Sequence, residues 1–432
     1  MSNKSLFIFE FVSGGGFNEM DIPVSLFCEG FAMLRSIIED FKEINFNITI
    51  LLDKRIQPLS YLLKADKINI VSKSTNYLKE FTNAVKYNEY CFIIAPEFSE
   101  TLYNLTKIVK DNNKTILSVD LSGIKLATYK FKTFEFLKKY DINTPKTYLI
   151  PRNKDYFDKN FVIEKFRQLN CPIVIKQEDG VGAESIFYFE REELIYKFFD
   201  DLDEKLERDK DYILQEYIEG EDLSVSLLGI HDIPIILSIN AQNLDITTHN
   251  KKSEYFGGYT PVENFKKYEK ELLKIVNKLN LSAFSSYYGI DFVRKKDGKI
   301  YVIEINPRLT TSYLGIRNII DFNPAKLILN SKLRQSQRFD FKYKYFSRFL
   351  RLELKYIGVK SIDEILNFII PKLTALIPEF ITPPIIFKGS TSETKQYYSC
   401  FIATREKNSN QSEMRLKEIK KILEDYQFEV IQ

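Results

Sequence analysis

Over the first 120 positions, apolar residues fall into two alternating patterns. Short continuous runs, "SLFIFEFV", "NITILLD", "INIVS", "YCFIIAP" and "KTILSVD", have the length of buried strands. Stretches between them, such as "SLFCEGFAMLRSIIEDFK", carry apolar residues at helical spacing. Strands separated by helices predict a parallel sheet covered on both faces, so residues 1–120 read as an open α/β domain. A helix ending at "NTP" opens a second unit, 121–210, with strands "TYLIP", "PIVIKQ" and "SIFYF". A third unit, 211–330, is rich in strands and hairpins. It holds "YILQEYI", "DLSVSLLGI", "IPIILSIN", a long polar loop at 240–261, a helix at 263–280, then "YYGIDFVRK" and "KIYVIEINP". Residues 331–432 mix helix ("SIDEILNFIIPKL", "SEMRLKEIKKILEDY") with strand ("TPPIIF", "YYSCFIATR"), an α+β extension to which the pattern assigns no role.

One stretch breaks the pattern. In "KIYVIEINPRLTTS", 299–312, Tyr301, Ile303 and Ile305 form one face of a strand. Val302, Glu304 and Asn306 then form the other, because side chains repeat every two residues. The preceding Asp297-Gly298 is a two-residue hairpin signal. Centring the turn there sets Asp291 against Glu304, with Asn306 next on the same face. Opposed carboxylates on neighbouring strands repel unless a cation neutralises them. Hard oxygen donors without histidine suit Mg²⁺. The plainer alternative is a pair of acids on a wet sheet face.

Composition narrows the field. The chain has 432 residues, enough for two to four packed units. Its 62 basic and 59 acidic side chains leave a net charge of +3, so no global field draws it to nucleic acid or anionic lipid. Clusters such as "EKLERDK" and "RLKEIKK" mix signs, as solvated helix faces do. Cys28, Cys91, Cys171 and Cys400 are far apart and form no CxxC pair. With only His231 and His249, neither a zinc site nor a Ser-His-Asp triad is indicated. No apolar run is long enough for a membrane helix, and the expected compartment is a reducing cytoplasm.

Three further segments carry chemistry. "PIVIKQEDGVGAES" ends an apolar strand at Lys176 and continues into a loop with Gly180 and Gly182, whose backbone can approach phosphate closely. It is neither a Walker loop nor GxGxxG. "YILQEYIEGEDL" runs a strand through Gln215, Glu216, Tyr217 and Ile218 into an acid pair, Glu221 and Asp222. Such a crossing offers backbone groups to a purine edge and carboxylates to a ribose. "SGGGF", with Gly14, Gly15 and Gly16, follows the first strand, a standard ligand position in open α/β sheets.

In this order Lys130, Lys176, the glycine loop, Gln215-Glu216-x-Ile218, Asp222, Asp291, Glu304 and Asn306 resemble the ATP-grasp superfamily. The triad spacing, thirteen positions from Asp to Glu and two more to Asn, is similar to that of its D-alanine–D-alanine ligase branch. "YKFKTFEFLKKYDINTPKT" is similar to the family's lysine segment in Lys130, Thr133, Leu137 and Pro145, with Tyr129 where an aspartate is usual. "FEFVSGGGF", "DGVGAES", "SEYFGGYTPVE" and "EINPRLTTSYLGI" resemble the tyramine–glutamate ligase branch of methanofuran biosynthesis. The resemblance covers about residues 1–320.

It implies an ATP-grasp fold and a ligase that joins an acid to an amine through an acyl phosphate, releasing ADP and phosphate. Residues 121–210 and 211–330 would be the small and large ATP-grasp lobes. Lys130 and Lys176 would contact the ATP phosphates, with Lys176 also catalytic. Gly180, Val181, Gly182 and Ala183 would close over the triphosphate. Gln215, Glu216, Tyr217 and Ile218 would bind adenine, and Glu221 or Asp222 the ribose. Asp291, Glu304 and Asn306 would hold two Mg²⁺, with Mn²⁺ an alternative. Arg308 would hold the acyl phosphate or a substrate carboxylate. Gly14–Gly16, Gln242, Gly257, Gly258, Thr310, Thr311 and Ser312 would contact substrate. Loop 240–261 is expected to act as a lid, with Lys251 and Lys252 as candidate phosphate contacts. The implied partners are a small-molecule carboxylate and amine, with no nucleic acid and no membrane; a homodimer is left open. The alternatives are a ligase for another amino acid or peptide, and a nucleotide-binding regulator that does no ligation. Bicarbonate activation as in biotin carboxylases is disfavoured, since the chain has no biotin-attachment sequence.

Overall fold

Five strands in the first domain follow the five apolar runs. In a computed structural model, β1 (Ser5–Glu10), β2 (Asn47–Asp53), β3 (Lys67–Val71), β4 (Tyr90–Ile94) and β5 (Thr115–Ile116) pair in the order β3-β2-β1-β4-β5. All pairings are parallel. Leu6, Phe7, Ile8 and Phe9 of β1 are completely buried, as a parallel strand covered on both faces requires. The structure describes every residue except 1–3, 154–155, 182–185, 201–205, 231–232, 247–252, 280, 334–341, 387–390, 393–394 and 432. Helix α1 (Val24–Glu43) covers one face with Phe27, Phe31, Leu34, Ile37, Ile38 and Phe41.

The expected helix over 121–145 is two short ones, Leu121–Ala127 and α2 (Lys130–Lys139), broken at Thr128 and Tyr129. Leu137 of α2 is buried in the core shared by the first domain and the large sheet. A separate small core, including Ile175, Phe189, Phe198 and Leu214, lies under four antiparallel strands. These are β6 (Thr147–Leu149), β7 (Ile173–Gln177), β8 (Ile186–Phe189) and β9 (Tyr212–Glu216), in the order β8-β7-β9-β6. Packing therefore divides near 147 rather than at 121.

Apart from a two-stranded ribbon, Arg152–Asn153 with Tyr156–Phe157, the remaining strands make one ten-stranded sheet. Its main path is β14 (Ile300–Asn306), β13 (Ser286–Arg294), β10 (Glu221–Ile230), β11 (Ile233–Asp245), β12 (Glu254–Thr260), β15 (Ser347–Tyr356), β17 (Lys395–Ala403) and β16 (Phe380–Ile385). Two short strands, Thr391–Ser392 and Phe428–Val430, complete it. Much of the expected polar loop at 240–261 is the β11–β12 hairpin; Lys251 and Lys252 lie outside the described residues. The C-terminal residues are not a separate appendage. β15 pairs directly with β12 through Gly257–Leu350 and Gly258–Phe349. They keep their own core, with Leu354, Ile365, Leu373, Cys400 and Ile419. They also close on α1: Arg35 Nη1 donates to the Phe380 and Ile381 carbonyls at 3.1 and 3.0 Å.

Candidate active site

The opposed acids are where the sequence places them, but by a different route. The hairpin tip is not a two-residue turn. Lys295 N–H donates to the Lys299 carbonyl and Gly298 N–H to the Lys295 carbonyl, each at 2.9 Å, with Gly298 at φ +89°. This odd loop pairs Arg294 with Ile300 and Phe292 with Val302. A bulge between Asp291 and Phe292 on the pairing path then resets the register, leaving Ile303 unpaired and Asp291 opposite Glu304. The face assignment changes with it. Val302 and Ile305 are the buried pair, while Ile303 joins Glu304 and Asn306 on the wall of a cleft.

That cleft measures about 1760 Å³ with its solvent-filled mouth. It lies between the carboxyl ends of β1 and β4, the small lobe and the large sheet, a topological switch point of the first domain. Asn306 Nδ2 and Gln242 Nε2 donate to the two oxygens of Asp291 at 2.9 and 3.0 Å. Burial, then the neighbouring Glu304, pushes the Asp291 carboxyl up to about 7. Burial also acts to raise Glu304, but Lys130, Lys176 and Arg308 outweigh it and hold this carboxyl below its usual range. The three cations thus favour the charged form of Glu304 more strongly than that of Asp291.

Lys130, the first residue of α2, places Nζ 3.5 Å from Glu304 Oε2 and donates to the Gly180 carbonyl at 2.5 Å. Lys176 lies on β7 between Ile186 and Ile213 of its neighbours and is 5% exposed. Burial brings its ammonium down to about 8, with Lys130 adding to the effect and Glu304 and Asp291 opposing it. Gly180, Val181, Gln215, Glu216, Tyr217, Ile218 and Asp222 continue the wall. Gln215 is anchored to Thr147 Oγ1 at 2.8 Å, and burial pushes the Asp222 carboxyl up to about 6. Arg308, Thr310, Thr311 and Ser312 line the far side. Tyr287 Oη meets Thr310 Oγ1 at 2.9 Å, and Tyr255 Oη meets Thr311 Oγ1 at 2.8 Å.

Several expected contacts fall elsewhere. Gly182 and Ala183 lie outside the described residues. Glu221 faces away from the cleft, accepting from Tyr268 Oη at 3.3 Å with Arg294 at 3.8 Å. Gly14–Gly16 form a tight turn behind the cleft: side chains there would run into Phe9, Val71 and Phe11, and Gly15 has φ +98°. Gly257 and Gly258 form the sheet seam, where a Cβ would sit 2.0 Å from the Phe349 carbonyl oxygen or 1.9 Å from that of Ala241. Conversely, Glu10, Glu29, Ile94, Pro96 and Tyr255 line the cleft without having been expected there. For Glu10, Ile94 and Pro96 the available signal was position at the end of a strand, since open α/β sheets bind ligands at carboxyl ends.

The donor set fits Mg²⁺. Two facing carboxylates and an amide supply hard oxygens and negative charge, and this ion completes its shell with substrate phosphates. Among the described residues, no three His, Cys, Asp or Glu side chains gather as a metal cluster.

The model of the ATP-grasp domain matches residues 127–312, and that of the pre ATP-grasp 3 domain matches 46–124. The chain belongs to the ATP-grasp superfamily and is an ADP-forming carboxylate–amine ligase, with ATP and Mg²⁺ as the family's cofactors. It is 29% identical over 349 residues to the tyramine–L-glutamate ligase of Methanocaldococcus jannaschii, covering 78% of this chain and 92% of that one. To the enzyme of the same name from Methanocaldococcus fervens it is 28% identical over 352 residues, covering 79% and 99%. Biotin carboxylase from Campylobacter jejuni shares the fold at TM-score 0.69 and 12% identity, over 97% of this chain and 91% of that one. The fold likeness thus includes the C-terminal strands. No described helix is long and apolar enough to cross a membrane.

Proposed function

We propose that the enzyme joins glutamate to tyramine, with the site residues acting as follows. Lys130 and Lys176 offset the triphosphate charge, and Gly180 with Val181 covers it. Gln215 to Ile218 flank the base and Asp222 the ribose. Asp291, Glu304 and Asn306 would hold Mg²⁺, which supplies charge neutralisation at the transferring phosphoryl group. The substrate carboxylate attacks the γ-phosphorus of ATP. ADP leaves, and the acyl phosphate formed accepts the amine and releases phosphate. Arg308 would offer a fixed positive charge and a free N–H edge to the acyl-phosphate oxygens. Thr310, Thr311 and Ser312 offer hydroxyls beside it. The observation that carries this reading is one cleft holding Asp291 against Glu304 with Lys130 3.5 Å away.

The pair of substrates rests on the resemblance to the two methanogen enzymes. A coupled ADP-release screen over amino acids and aromatic amines tests it. Release that needs both glutamate and tyramine, with γ-linked or α-linked glutamyl-tyramine as product, is expected. Preference for another acid or amine makes the chain a ligase of different specificity. AMP and pyrophosphate as products would defeat the acyl-phosphate route.

A further inference from the structure

Arg308 follows β14, and what holds it comes from another domain. Glu97, in the loop after β4, accepts from Arg308 Nε through both carboxylate oxygens, at 3.0 and 3.1 Å. The Glu97 side chain is 7% exposed and that of Arg308 17%. Arg308 Nη1 donates to the Leu309 carbonyl at 3.2 Å. Among the described residues, Nη2 has no hydrogen-bond partner. A guanidinium is planar and its donors are fixed in a fork, so gripping the Nε edge dictates where Nη2 points. Burial works against the charge on this group, but Glu97 and then Glu304 sustain it, which puts Arg308 within the field of the metal-binding acids.

The loop that carries Glu97 is itself held in an unusual shape. Ser99 and Glu100 have φ of +52° and +56°, a left-handed conformation that is strained for a non-glycine residue. Such strain persists where surroundings impose it. Here the small lobe contributes those surroundings. Ser99 N–H donates to Asp179 Oδ2 at 2.8 Å, and Lys210 Nζ donates to Ser99 Oγ at 2.6 Å. Gln177 Nε2 steadies the other Asp179 oxygen at 2.7 Å. Glu100 accepts from Tyr129 Oη at 3.0 Å, next to Lys130 and at the position where an aspartate is usual. Residues 97–100 thus touch Arg308, the small lobe and the root of the phosphate-binding helix.

We propose that Glu97 is a positioning residue for the ligation: it aims Arg308 Nη2 at the reacting oxygens, and the Ser99–Asp179 contact makes that aim depend on a docked small lobe. The inference rests on the role given to Arg308 above. Were the Asp179 and Lys210 contacts to part, the 97–100 loop would lose what imposes its shape. Re-forming them would restore the shape and, with it, the arginine's direction.

Steady-state ADP release by the full chain, at saturating acid and amine, tests this. For Glu97→Gln, kcat should fall about 100-fold while the KM for ATP stays within about twofold, as expected when a group is misplaced by roughly an ångström. Adding Arg308→Gln to that variant should cost no more than Arg308→Gln alone, because the two residues act as a unit. Asp179→Asn should lower kcat about tenfold, again without loss of ATP binding. A Glu97→Gln enzyme within about twofold of wild-type kcat, or losses that multiply in the double variant, overturns the proposal. If Glu97→Gln does not fold, Asp179→Asn at its partly exposed position decides, and unchanged turnover there counts against the proposal. Wild type that releases no acid-dependent ADP defeats the functional reading and this inference with it. Active wild type with an unaffected Glu97→Gln defeats this inference alone.

Discussion

Lys176 keeps its proton weakly because the strands around it exclude water, and about pH 8 is where it lets go. Only the ammonium form pairs with phosphate. ATP affinity should therefore decline as pH rises from 7 to 9.5, with the onset somewhat above 8 in the complex because bound phosphate favours the proton. Calorimetric titration at three pH values measures it. Lys176→Ala should bind ATP weakly throughout and lose this pH dependence; a wild-type slope in the variant would assign the titration to another group. Lys130, Lys176 and Arg308 favour the charged form of Glu304, and Glu304→Gln removes that charge from the proposed cation site. Turnover should drop about 100- to 1000-fold, comparable with losing one preorganised electrostatic contact at a reacting centre. Circular dichroism should stay unchanged. Near wild-type ADP release at saturating Mg²⁺ would remove Glu304 from the chemistry.

Between elements, one buried ion pair fastens the first domain to α3 (Tyr313–Ile319), the helix after the site loop. Asp40 of α1 accepts from Arg317 Nη2 at 2.7 Å and from Tyr313 Oη at 2.6 Å, and its side chain is 4% exposed. Burial raises the Asp40 carboxyl, against the pull of Arg317. Arg317→Ala strands that carboxylate, and removing one partner of a buried pair costs about 3–5 kcal/mol. Urea unfolding should show the loss; a change below about 1 kcal/mol would place the pair in the weak, solvent-screened class. Strand and helix types were legible because burial imposes periodicities of two and 3.6. The tip of the β13–β14 hairpin was not. Asp297-Gly298 signals a turn of either parity, and the bulge that compensates has no residue signature of its own. Likewise Gly257 and Gly258 resemble a loop in composition. Only the approach of β15, more than 80 residues away, explains them as a seam.

For the whole molecule, the hardest feature to read was how the last hundred residues attach. Their strands and helices were visible, but a ten-stranded sheet is made by long-range pairing that no local window contains. This attachment has a measurable consequence. A chain cut after Leu333 would bare the hydrogen-bonding edge of β12 and part of the apolar surface of α1. Unpaired edges recruit other edges, so light scattering should report aggregation or self-association at micromolar concentration. A monodisperse, active truncation would show that the extension is dispensable for folding. The site's polar residues were legible because the chemistry restricts their type and order: opposed acids, paired lysines and a hydroxyl-rich loop. Glu97 was invisible in this sense, since its partner lies 211 positions further along the chain.

The bulge beside Asp291 has a last implication. In an unbroken strand, consecutive side chains point to opposite sides, so adjacent residues can never furnish the same wall. Here Ile303 and Glu304 do. One slipped pairing lets a greasy surface and the carboxylate proposed to hold the ion stand shoulder to shoulder. Deleting Lys296 should let the ladder zip without the slip, keeping the acids face to face while withdrawing the isoleucine. Such an enzyme would retain its demand for a divalent ion yet grip its nucleotide less firmly.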